Sequence, residues 1–293
     1  MKRCVIHIGM HKTGSTSIQV SFCNHLNNPE WRYAQLGHAN HSYVLAKILR
    51  QDLPGGDAAI GLGPLSHNEI LDKFINGLGQ EGENYLLSGE WLSSAVGVSK
   101  LTELRDLLLL HVDKVTIVGY VRSPKSYMES SFQQHLKMDT LKLNFTALCP
   151  RYRHRLEPFD LAFGKENVML WKFDPATFKN HCVVQDFCDR LSIAFPEKLI
   201  KRRNESLSRE AIAFLYTYRK HINGKDGNKA FSVKENIKLV NYLAQLKGSK
   251  LRFASEVIKP VLDANQADIQ WMEQRIGEPL IEPFEDSADA IRS

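Results

Sequence analysis

The first twenty-odd residues constrain the fold more than any other part of the chain. Arg3 to Ile8 is a short apolar run rich in β-branched side chains. It breaks at Gly9, passes through Met10, His11, Lys12, Thr13 and Gly14, and resumes at Ser15 and Thr16 with a helical pattern carried by Ile18, Val20, Phe22 and Leu26. An apolar run that gives way to a helical period across a glycine turn reads as strand, loop and helix. Such a unit needs a sheet to join, and further runs supply one. Asn84 to Ser88 and Lys114 to Val121 read as fully buried strands, the second preceded by a helix-like stretch from Leu101 to His111. Asn167 to Phe173 reads as another strand, introduced by the turn Phe163, Gly164, Lys165, with a helix after it at Val183 to Leu191. Alternating strands and helices predict an α/β fold with a central parallel sheet and helices on both faces.

From Leu207 onward the pattern turns mostly helical. Leu207, Ile212, Leu215 and Tyr216, then Ile237, Leu239, Leu243 and Leu246, form apolar stripes expected to pack onto the sheet. Asn223 to Asn228 reads as a solvated loop, and the acidic tail beyond Glu282 as mobile. With 293 residues and 43% hydrophobic content, one core suffices. The expectation is a single domain over 1–293, with an α/β core over 1–200 and a helical portion over 201–293.

The glycine loop is suited to a phosphate-like group. Glycines let the backbone turn tightly around an anion, the helix N-terminus presents N–H groups, and Lys12 adds a full positive charge. An ATP-binding P-loop places lysine directly after its second glycine. Here Ser15 holds that place, and Lys12 lies two residues before Gly14. The second informative stretch runs from Val115 to Val118 through Gly119, Tyr120 and Val121 to Arg122, followed by Ser123 and Pro124. Ser123 can cap a helix whose first position Pro124 occupies, so Arg122 ends a strand beside a helix N-terminus. Ser130 follows eight residues after Arg122, roughly two helical turns on.

The order Lys12, Thr13, Gly14, Ser15, Thr16 resembles the 5′-phosphosulfate loop of sulfotransferases that use 3′-phosphoadenosine-5′-phosphosulfate (PAPS). Val121, Arg122, Ser123, Pro124, Tyr127, Ser130, Phe132 and Gln134 are similar to the 3′-phosphate motif of bacterial members. The resemblance implies a P-loop NTPase-like sheet and transfer of a sulfuryl group from PAPS to an acceptor hydroxyl, leaving adenosine 3′,5′-bisphosphate, with no metal. It assigns the leaving phosphate to Lys12, the 5′-phosphate to the loop from His11 through Thr13, Gly14, Ser15 and Thr16 to Ser17, and the 3′-phosphate to Arg122 and Ser130. Arg203, in the stretch Arg202 to Ser208, is a further candidate for closing over the nucleotide, against the plainer reading of solvated arginines before a capped helix.

Transfer to a hydroxyl needs a base. The strand Tyr85 to Ser88 ends at Gly89 and Glu90, before Trp91. By order along the chain, Glu90 holds the place where the family carries its catalytic base, and burial beside Trp91 would raise its pKa. The competing reading is a carboxylate that favours a helix N-terminus. His11 in the first loop, and His38 and His41 in the segment Gly37 to His41, are histidine alternatives, with His41 a candidate on the acceptor side. Tyr152 to Arg155, with Lys137 and Lys142, is basic and aromatic, and suits an anionic saccharide or lipid headgroup as well as it suits solvent. A glycan or glycolipid is the preferred acceptor. The rivals are a P-loop kinase or ATPase, which the lysine placement disfavours, and a noncatalytic nucleotide-binding module.

The balance of 38 Lys and Arg against 33 Asp and Glu, a formal charge of +5, is too even to make nucleic acid the first guess. The five cysteines are odd in number with no CxxC spacing, so neither a disulfide framework nor a zinc site is expected. No apolar run approaches a membrane span, and Met1 leads almost at once into a strand. A cytoplasmic enzyme follows as the expectation, with a homodimer possible through the C-terminal apolar helices.

Overall fold

The computed structural model describes residues 1–49, 66–78, 84–94, 96–138, 145–202, 206–222, 233–284 and 290. The chain divides into two compact units, Met1–Val121 with Tyr152–Asn204, and Arg122–Arg151 with Glu205–Ser293. No helix among the described residues is long and apolar enough to cross a membrane.

The first unit holds the sheet. Its strands are β1 (Arg3–His7), β2 (Trp31–Tyr33), β3 (Asn84–Ser88), β4 (Lys114–Arg122) and β5 (Val168–Phe173), in the order β2-β3-β1-β4-β5. β1 lies at the centre, pairing in parallel with β3 (Val5 opposite Leu86) and with β4 (Val5 opposite Thr116). The expected α/β architecture is present, and the glycine loop leaves the carboxyl end of the central strand. Helices α1 (Ser15–Phe22), α2 (Ser42–Ile48), α3 (His67–Leu78), α4 (Val98–Leu109), α6 (Tyr152–Phe163) and α7 (Val183–Leu191) complete this unit.

Strand side chains alternate between the two faces of a sheet. Val5, Leu86, Val118 and Tyr120 point one way, into a core with Ile18 and Phe22 of α1 and Val184 and Phe187 of α7. The opposite parity, Cys4, Ile6, Tyr85, Leu87 and Ile117, is just as buried, so both faces are covered. That is why β1, β3 and β4 read as unbroken apolar runs rather than alternating ones. All five cysteines are free thiols, and burial raises the pKa of Cys4 and Cys188 to about 12.

The second unit contains α5 (Pro124–Lys137), α8 (Arg209–Ile222), α9 (Val233–Leu243), α10 (Ser255–Ala264) and α11 (Gln266–Ile276). Its core corrects the expectation that the C-terminal stripes pack onto the sheet. Leu207, Ile212, Leu215 and Leu243 instead join Met128, Phe132 and Leu136 of α5, with Leu251, Phe253 and Ile258. The cause is α5 itself, whose apolar residues recur every four positions and offer a facing stripe. Tyr216, Ile237 and Leu246 fall outside that core and are exposed. The loop expected at Asn223 to Asn228 lies outside the described residues.

Candidate functional site

Sterics set the loop after β1 before chemistry does. Gly9 (φ 49°) and Gly14 (φ 79°) are left-handed, and Lys12 joins them at φ 72°. A Cβ on Gly9 would run into Ser15 Oγ, and one on Gly14 would stand 2.7 Å from Val183 Cγ1 of α7. Glycine alone combines that backbone with that lack of space. Thr13 is buried, and its Oγ1 donates to the Met10 carbonyl at 2.6 Å, tying the turn across its base. α1 opens without a side-chain cap; the Ser17 N–H donates to the Gly14 carbonyl at 2.9 Å.

Ser15 Oγ is buried without a hydrogen-bond partner. A buried hydroxyl left in that state costs roughly 1–3 kcal/mol, and an anion seated in the loop would relieve it. Ser17 is buried beside it, while Lys12 and Thr16 are half-buried.

Glu90 meets this loop from β3. Gly89 N–H donates to the His7 carbonyl at 3.0 Å, carrying the β1–β3 contact past the strand ends, and a 3₁₀ turn over Glu90–Ser93 begins at once. A Cβ on Gly9 would lie 3.4 Å from Glu90 Cβ, so loop and carboxylate are neighbours. His11 stands between two groups: its Nδ1 is 3.7 Å from Glu90 Oε2, and its Nε2 is 2.8 Å from Ser94 Oγ. The side chains of His11 and Glu90 are 39% and 24% exposed, open enough to meet a ligand.

The expected rise in the Glu90 pKa does not occur. Burial pushes it up, but His11, His7 and Lys12 together outweigh burial and hold the carboxyl below its ordinary value. Glu90 therefore stays ionised.

Behind Glu90 lies a buried polar cluster. His7 Nδ1 is 2.9 Å from Ser88 Oγ, and Gln19 Nε2 donates to the same oxygen at 3.1 Å. His41 clasps Ser88 from both sides: its backbone N–H donates to the Ser88 carbonyl at 2.8 Å, and its Nδ1 accepts from the Ser88 N–H at 3.1 Å. Its ring is fully buried, and burial takes its pKa down to about 3. A neutral imidazole committed to a backbone N–H through Nδ1, with its buried Nε2 unpartnered, positions the end of β3. His7 is likewise fully buried, with its pKa pushed down to about 4 against the opposing charge of Glu90.

Arg122 ends β4, where the chain passes into the second unit. Pro124 takes the first position of α5 as expected, but Ser123 makes no side-chain cap. Arg122 Nε instead donates to Ser126 Oγ at 3.2 Å, and Ser126 Oγ donates to the Ser123 carbonyl at 3.2 Å. Ser130 is buried further along α5. Beside it, the buried carboxylate of Glu129 accepts from Arg252 Nη1 at 2.8 Å and from the Phe253 N–H at 3.2 Å. Burial lowers the Arg122 pKa, with the carboxylates of Glu282 and Glu129 opposing and the charge of Arg252 reinforcing the fall. Arg122, Lys125 and Arg252 thus gather positive charge around the start of α5.

The C-terminal segment completes that end of the helix. Ser126 N–H donates to Glu282 Oε2 at 2.9 Å, Lys125 Nζ donates to the Pro283 carbonyl at 2.7 Å, and the same Nζ lies 5.7 Å from the centre of the Phe284 ring. Pro283 and Phe284 are exposed but tied by these contacts, and most of the tail beyond Glu282, expected to be mobile, lies outside the described residues. Sequence reasoning missed Ser126, Ser94, Arg252 and Glu282. Ser126 carries a usable signal, one helical turn beyond Arg122; the rest are contacts between distant segments.

Arg203 lies outside the described residues, as does Lys142. Tyr152 is fully buried, and Arg155 Nη1 donates to the Ser93 carbonyl at 3.2 Å, so this basic stretch braces the Glu90 turn.

No family model matches the chain, and no curated protein matches it. Among solved structures, a sulfotransferase from Alicyclobacillus acidocaldarius is similar, with a TM-score of 0.46 and 12% identity over 94% of this chain and 95% of its own. The sulfotransferase domain of the Synechococcus PCC 7002 olefin synthase gives 0.40 and 14% over 83% and 94%, and that of the curacin biosynthetic pathway 0.39 and 12% over 83% and 98%.

Proposed function

We propose that this chain is a sulfotransferase, moving a sulfuryl group from PAPS to an acceptor hydroxyl and releasing adenosine 3′,5′-bisphosphate. The observation that carries this reading is the buried, unpartnered Ser15 hydroxyl at the floor of a loop that two left-handed glycines hold open. The residues present fit a phosphosulfate. Gly9 lets Ser15 Oγ stand where a side chain would otherwise begin, α1 starts without a side-chain cap, and Lys12 brings positive charge. Arg122 and Ser130 are assigned the 3′-phosphate, with Ser126 as an added neighbour.

Sulfuryl transfer breaks the bond between sulfur and the 5′-phosphate oxygen and forms one between sulfur and the acceptor oxygen. The acceptor proton goes to a base, and the leaving phosphate takes up negative charge that Lys12 balances. Glu90 is the carboxylate of that step, and His11, one of the histidine alternatives in the sequence, stands beside it. With Nδ1 toward Glu90 and Nε2 toward a hydroxyl already 2.8 Å away on Ser94, His11 has the posture of a base with a carboxylate behind it. Ser94 Oγ occupies the kind of position an acceptor hydroxyl would take. A glycan or glycolipid hydroxyl is the acceptor class to try first.

Calorimetry with adenosine 3′,5′-bisphosphate tests the reading. The full chain is expected to bind it with a chelator present, and Arg122→Ala to weaken binding by roughly tenfold to a hundredfold, the worth of lost charged hydrogen bonds. Incubation with labelled PAPS and fractionated cell extract should then transfer label. Binding of ATP only with magnesium, and no heat with the bisphosphate, would instead mark a kinase or ATPase.

A further inference from the structure

The end of the chain holds a carboxylate where the proposed function needs a phosphate. Leu280 is fully buried, and its N–H donates to Glu273 Oε1 of α11 at 2.7 Å, which fixes where the last segment starts. From there Glu282, Pro283 and Phe284 each meet the first turn of α5, through the Ser126 N–H at 2.9 Å, Lys125 Nζ at 2.7 Å and a cation–π contact at 5.7 Å. Successive residues anchored on one helical turn make a strap rather than a chance contact. The chemistry at its centre is specific: Glu282 is an anion on the Ser126 N–H at a helix N-terminus, and Ser126 is the residue whose Oγ accepts from Arg122 Nε at 3.2 Å.

We infer that Glu282 is an internal competitor, its carboxylate occupying the seat of the nucleotide 3′-phosphate, so that the strap Glu282–Phe284 must leave before the nucleotide binds. This rests on the assignment of Arg122 to the 3′-phosphate. Two anions cannot share one N–H and one arginine without strong repulsion, so strap and nucleotide exclude each other. The Lys125 contacts supply the holding force; Lys125 itself is buried, while Pro283 and Phe284 on the strap side are exposed. A strap that holds the seat about nine-tenths of the time would weaken apparent affinity about tenfold, because only the open fraction binds.

Calorimetry with adenosine 3′,5′-bisphosphate on the full chain and on Glu282→Gln tests this, with Glu278→Gln as a control that removes the same charge from the exposed surface nearby. Glu282→Gln should bind about tenfold tighter, and Glu278→Gln should match the parent. In parallel, hydrogen exchange of the peptide spanning 280–284 should speed up when nucleotide is added to the parent. Equal affinity in parent and Glu282→Gln, weaker binding in Glu282→Gln, or a strap whose exchange does not change on binding would each overturn the strap while leaving the sulfotransferase reading intact. No binding to the parent or to either variant would overturn the underlying assignment, and the strap with it.

Discussion

At the scale of single residues, His11 and Glu90 divide one task. The carboxyl is held below its ordinary pKa by His11, His7 and Lys12 against the effect of burial, so it is charged but a weak base. A weak base that orients an imidazole is more useful than one that takes the proton alone. Glu90→Gln and His11→Asn should each slow single-turnover transfer by about a hundredfold or more, with bisphosphate affinity nearly unchanged in Glu90→Gln. Because they act in sequence, the double variant should be little slower than either single one. Independent, multiplying losses measured in rapid-quench experiments would separate the two residues. Parts of this site are legible in the sequence and parts are not. Gly9 and Gly14 announce a tight turn, and Lys12 its charge, because those properties belong to the residue types. The fate of His41 is not legible, since a histidine in a polar segment carries no sign that its ring will be sealed against Ser88.

At the scale of elements, α5 is stabilised by partners far away in the chain. Glu129 sits on it as a buried carboxylate whose pKa burial raises, with Arg252, the Phe253 N–H and Lys125 acting against that rise. Arg252→Ala would strand the charge. Because the arginine side chain is 36% exposed, the cost should be about 2 kcal/mol rather than the larger loss seen for wholly buried pairs. Denaturant unfolding measures it, and Glu129→Gln combined with Arg252→Ala should recover part of the loss. The strands β3 and β4 and the helix α7 are readable from sequence because each is a single unbroken pattern. β2, only Trp31–Tyr33, is too short to show any period, and it exists because β3 offers it an edge. The Glu282 strap lies 156 residues from the Ser126 it touches, and nothing local in either segment announces the meeting.

At the scale of the whole molecule, the polar cluster behind the sheet sets a lower pH limit. His7 and His41 have folded pKa values of about 4 and about 3, both depressed by burial. The unfolded chain takes up protons on them below about 6.5, while the folded chain resists. Their contribution is therefore complete above that pH and is lost as pH falls toward the folded values, on the order of 3 kcal/mol each by pH 4. Melting temperature should fall steeply from pH 6.5 to 4, and His41→Asn should flatten that slope; an unchanged slope would show that other groups set it. The glycine loop carries a different long-range condition. The space beside residue 14 is taken by a methyl group of Val183, 2.7 Å from where a side chain would begin. Two conditions therefore hold glycine at 14, and position 183 governs only one of them: Val183→Ala would clear the space but not the left-handed backbone, so Gly14→Ala should still lower the melting temperature in a Val183→Ala background, by less than it does beside Val183.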